Sequence, residues 1–164
     1  MVQSILEITI IITLIYMCVC FATDMKDKYV FTFPAIILAI AWFEAGPKMF
    51  EGGREINIAI VINIIVYLLL RVIKVWGDGD SDIFILFAAV YGTYYLSLGI
   101  DFGVLGFVMG EMGCLLASLV LSLLLGLAEA WSKKEKISGD TRIAVVPGFC
   151  ITVIAMSFYV LSVG

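Results

Sequence analysis

Two acidic segments carry the groups capable of chemistry: Thr23-Asp24-Met25-Lys26-Asp27-Lys28 and Trp76-Gly77-Asp78-Gly79-Asp80-Ser81-Asp82. The second lies between two long apolar runs, Ile56 to Val75 and Ile83 to Leu98, and the first follows another. Ionisable groups at membrane depth are costly and need a partner or a function. Two carboxylates held close cannot both ionise easily, so they share one proton and titrate as a unit. Such a pair can hydrolyse an amide. The anionic oxygen takes a proton from water, while the neutral partner hydrogen-bonds to the scissile carbonyl and then returns a proton to the leaving amine. We read Asp24 and Asp80 as that pair. Gly77 and Gly79 would let the backbone turn sharply beside it and admit a substrate strand.

Absences narrow the chemistry further. The chain has no histidine, which excludes Ser-His-Asp and Cys-His catalysis and any histidine-ligated metal. Cys18, Cys20, Cys114 and Cys150 all fall in apolar runs without a CxxC pair, and read as buried thiols acting as small hydrophobes. Asp78, Asp80 and Asp82 have the DxDxD spacing that opens an EF-hand loop, and hard cations favour oxygen ligands. The later glycine and twelfth-position glutamate are missing, with Phe87 and Ala89 in that region. No metal and no cofactor is assigned.

The elements that must position these groups follow from composition. Of 164 residues, 63% are hydrophobic and 15% charged, against about 45–50% and about 25% in soluble domains. The expected fold is all-α: a polytopic membrane helix bundle of about six spans forming a single unit over residues 1–164. Span 1 covers about 4–21, a length suited to about 30 Å of hydrocarbon. It lacks a basic leading region and a small-residue cleavage site, so a retained span is expected. Span 2, about 30–45, is interrupted by Pro34. Span 3, about 56–75, carries Asn57 and Asn63, which should hydrogen-bond across helices. Span 4 covers about 83–98. Span 5, about 102–130, exceeds what a bilayer needs, and opens with the small-residue pairs Gly99/Gly103 and Gly106/Gly110. Glu111 lies deep within it and reads as a structural acid facing the bundle. Span 6, about 143–163, begins near Pro147-Gly148.

The ten basic residues are unevenly shared. If six spans alternate, Lys26, Lys28, Arg71, Lys74, Lys133, Lys134, Lys136 and Arg142 lie at one side, and Lys48 and Arg54 at the other. The positive-inside rule then puts loops 1, 3 and 5 in the cytoplasm and both termini outside the cell membrane. Asp24 and Asp80 come to one membrane edge, and meet if spans 1 and 4 are neighbours.

On these residues the chain resembles the prepilin peptidase family of membrane aspartyl proteases, which includes the archaeal preflagellin peptidases. That family has one catalytic aspartate just after its first core span and a second in a Gly-x-Gly-Asp motif before a later span. Asp24 and the Gly77-Asp78-Gly79-Asp80 stretch occupy those places, and Val146-Pro147-Gly148-Phe149 echoes the Pro-Phe-Gly-Pro-like start of the family's last span. Phe31 stands where the family commonly has proline, and Asp82 where many bacterial members have lysine. The resemblance implies an aspartic endopeptidase acting on a prepilin, pseudopilin or archaellin-like precursor. It would cut a short basic leader from the substrate's hydrophobic helix at the cytoplasmic face. No nucleic-acid partner is implied. The zinc-binding methyltransferase domain of larger members is missing, so no methyltransferase activity is expected. Asp27, Asp78 and Asp82 would surround the pair with negative potential and are candidate contacts for the leader.

Other classes remain open. An ion-binding or ion-coupled transport protein would use Asp80, Asp82 and Glu111, although such acids belong near the midplane. A non-catalytic pilus-assembly subunit would tolerate loss of the aspartates. The presenilin group also uses Gly-x-Gly-Asp, but its Pro-Ala-Leu motif is absent here and its span count is larger.

Overall fold

The computed structural model describes residues 2–27, 30–31, 33–73, 78–99, 103–132 and 145–164, without the side chains of Asp27 and Asp78. All six elements are helices: α1 Val2–Asp27, α2 Phe33–Met49, α3 Arg54–Ile73, α4 Asp78–Ser97, α5 Gly103–Ser132 and α6 Val146–Val163.

The helices α1, α3, α5 and α6 are long and apolar enough to cross a bilayer. The other two fall short of the six expected spans for different reasons. α2 has only 17 residues. α4 starts among three aspartates and carries Thr93 and three tyrosines, which lower its hydropathy. α4 is also the inner helix: every residue from Ser81 to Thr93 is buried, and it packs against α2, α3, α5 and α6. Large apolar side chains such as Ile8, Ile15, Val61, Leu68, Leu105 and Leu116 instead point outward from α1, α3 and α5. The whole is consistent with a multi-pass membrane protein.

Several boundaries differ from the sequence reading. α1 runs on through Asp27, because Ala22 to Asp27 contains neither glycine nor proline and Thr23 Oγ1 donates back to the Val19 carbonyl at 3.0 Å. Lys26 in its last turn suits the negative end of the helix. α4 begins at Asp78, where acids suit the positive end. Pro34 does not interrupt α2 but stands in its first turn, where a missing N–H costs nothing. Gly99 and Gly103 are not a helix-packing pair: each has φ of 65°, and they flank the link from α4 to α5. Asn57 is exposed rather than bonded across helices, and Cys18 faces outward.

Among the described residues α1 packs on α2 and α6, and α4 is held between those same two helices. The expected α1–α4 neighbour pair is therefore replaced by a ring α1–α2–α4–α6 with α1 and α4 at opposite corners. Trp42 on α2 ties one side by donating its indole N–H to Thr13 Oγ1 on α1 at 2.9 Å. Phe87 of α4 meets Phe149 of α6 edge-on at 5.4 Å. Chain direction alternates. Gln3 Nε2 donates to the Gly164 carbonyl at 3.2 Å, so the start of α1 meets the end of α6. Phe50, just past α2, lies beside Gly164 as well. The ends of α1, α3 and α5 thus share one end of the bundle with the starts of α2, α4 and α6.

Candidate functional site at the acidic end of the bundle

Asp24 reaches the interior because it extends the inward stripe of α1. Leu6, Ile10, Thr13, Met17, Cys20 and Asp24 recur at steps of three or four and are all buried. Asp24 itself is only 6% exposed, a severe placement for a carboxylate. It lies within electrostatic range of Cys150 on α6.

Asp80 stands in the first turn of α4 and is half-buried, as is Gly79 beside it. Gly77 and the side chains of Asp27 and Asp78 lie outside the described residues. Asp82, two positions on, is fully buried. Its Oδ1 accepts from Tyr67 Oη at 2.8 Å and from Arg71 Nη1 at 3.2 Å. Arg71 also donates to Tyr67 Oη at 2.5 Å and lies over that ring at 5.8 Å. Asp82 Oδ2 is buried with no hydrogen-bond partner among the described residues, and the carboxylate acts electrostatically on Tyr16 of α1. Asp82 therefore does not sit on an acidic rim. Its charge is answered inside the bundle, where it fastens the start of α4 to the end of α3. Among the described residues no three acids or cysteines gather as a metal site.

Sequence reasoning missed Tyr67 and Arg71. The signal was available: they are four apart, on the face of α3 that also carries Ile56, Ala59 and Asn63. It also missed a hydroxyl network where α6 begins. Ser122 of α5 donates to the Val145 carbonyl and accepts from the Gly148 N–H at 2.9 Å, so one helix caps the next. Ser118 donates to Thr152 Oγ1 at 2.8 Å. A Cβ on Gly148 would run into the Ser118 carbonyl and Ser122 Oγ, so only glycine allows this approach.

Glu111 faces the bundle, as expected. It is buried in α5 and accepts from Asn63 Nδ2 at 3.2 Å, while its Oε1 has no hydrogen-bond partner among the described residues. This pair is remote from the helix ends that carry Asp24 and Asp80.

No protein-family model, curated protein or solved structure matches the chain.

Proposed function

We propose that the chain is a membrane-embedded aspartic endopeptidase of the prepilin peptidase type, removing a short basic leader from a prepilin-like or archaellin-like precursor. The observation that carries the reading is that a buried Asp24, at the end of α1, and Asp80, at the start of α4, stand at the same end of the bundle. In the ring, α2 and α6 lie between the two helices, so the reading requires Asp24 and Asp80 to meet across it. To this geometry the reading adds a proton shared between the two carboxylates.

Helix polarity then assigns their roles. The positive end of α4 favours the anion at Asp80, and the negative end of α1 favours the neutral acid at Asp24. Asp80 accepts the proton of the attacking water. Asp24 hydrogen-bonds to the scissile carbonyl and helps stabilise the tetrahedral intermediate. The latch of Asp82 on Tyr67 and Arg71 holds the first turns of α4, and so holds Asp80. No cofactor enters these steps. In this reading all six helices cross the membrane, the aspartates face the cytoplasm and both termini lie outside. Asp27 and Asp78 remain the candidate contacts for a basic leader.

A second reading rests on Glu111 and Asn63, a buried acid in the body of the bundle of the kind that ion-coupled proteins use. Co-expression of a prepilin-like substrate separates the two. A mobility shift by wild type that survives Glu111→Gln supports the peptidase. Absence of any shift across a panel of basic-leader substrates, with ion uptake that Glu111→Gln abolishes, supports ion binding instead.

A further inference from the structure

At the end of the bundle remote from the aspartates, the α2–α3 turn, the end of α4 and the start of α5 border an open-sided cavity of about 360 Å³. Ile56 lines it, and Arg71 stands about 22 Å further along α3 at 1.5 Å per residue. The volume lies in the range of small-molecule sites. The walls are aromatic and apolar, with Phe50, Tyr95, Phe107 and Ile56 among them. Tyr95 meets Phe107 edge-on at 5.2 Å, which stiffens that wall. Among the described residues the charged side chains of the lining are of one sign, Glu51 and Glu55, with no lysine or arginine.

Glu51 breaks two local rules to stand there. α2 closes with the Gly52 N–H donating to the Pro47 carbonyl at 2.8 Å, and this closure puts Glu51 in the left-handed region with φ of 51°. That position favours glycine, and an L-residue is strained in it. A carboxylate is also the wrong charge for the end of a helix. Glu55 has a structural explanation, since its Oε2 lies 3.5 Å from where a Cβ of Gly103 would be, at the positive end of α5. The helix geometry gives no such reason for Glu51. Residues that break local rules concentrate at functional sites, and Glu51 does so at the mouth of an aromatic cavity.

We propose that this cavity binds an organic ammonium group carried on an apolar body, with Glu51 and Glu55 answering the charge and the aromatic walls holding the body. A cation over aromatic faces is attracted by the rings as well as by the carboxylates, an anion is repelled, and a neutral molecule gains only apolar contact. Two sources offer this chemistry: a free amine in the outer aqueous phase, and the choline or ethanolamine headgroup of a bilayer lipid.

The test is titration calorimetry of choline and its neutral analogue 3,3-dimethylbutan-1-ol into the purified full chain in a non-ionic detergent. Choline should bind saturably and at least tenfold more tightly than the analogue. Glu51→Gln and Glu55→Gln should each weaken choline about tenfold. Glu51→Gly should also weaken it while raising the thermal midpoint, which separates lost charge from a damaged fold. Repeating the titration in nanodiscs identifies the source. Loss of choline binding in phosphatidylcholine but not in phosphatidylglycerol assigns the site to a lipid headgroup, and retention in both assigns it to a free amine. No saturable choline binding, equal binding of the neutral analogue, or binding indifferent to both glutamates overturns the proposal.

Discussion

Asp82 shows how much the surroundings of one carboxylate decide. Its neighbours in sequence suggest a solvated acidic loop, yet it is fully buried and bonded to Tyr67 and Arg71. A buried ion pair adds little net stability, but removing one partner strands the other. Arg71→Met should therefore lower stability by about 1–3 kcal/mol, and adding Asp82→Leu should recover most of it, read as thermal midpoints in detergent. Additive losses from the two changes would show that the pair is not coupled. The acidic residues themselves were legible from the sequence, but which of them would be buried was not. Asp24 looked like loop because it is polar. Its step of four from Cys20 on the inward stripe of α1 is what puts it inside. The partners of Asp82 come from another helix, and pairing between helices is not written in local composition.

At the scale of elements, helix number and order were readable because each apolar run approaches bilayer length. The ends were misplaced wherever charge was taken as a sign of loop. Helices tolerate acids at their starts and lysine at their ends, so α1 and α4 extend into the two segments that carry the aspartates. The contact of α5 with α6 is set by smaller features: Ser118, Ser122 and Gly148 let the backbones approach, and hydroxyls satisfy the start of α6. Gly148→Ala should destabilise the protein by about 1–3 kcal/mol through overpacking. Adding Ser122→Ala should relieve only part of this, because the Ser118 carbonyl is backbone and stays in place. A neutral Gly148→Ala, measured by thermal unfolding, would show that the helices are not so close.

For the whole molecule, alternation of the six helices gathers the ends of α1, α3 and α5 on one side. The sequence reading took that alternation as its starting assumption, but did not foresee the ring that sets α1 and α4 at opposite corners. A short α2 and an inner, polar-ended α4 leave the count of crossings to experiment, and reporter fusions distinguish the cases. If all six helices cross, a reporter active only outside the membrane should be active both after Gly52 and after Gly164. If α2 and α4 do not cross, the two positions fall on opposite sides. The close approach of Phe50 to Gly164 agrees with the first outcome.

The central claim is that Asp24 and Asp80 act together on a peptide bond. It is tested most directly with purified, reconstituted protein and a prepilin-like substrate, comparing wild type with Asp24→Asn and Asp80→Asn for cleavage. A dyad predicts cleavage by wild type and a loss of at least a thousandfold for either variant, with thermal stability retained. Cleavage that persists in either stable variant would contradict it.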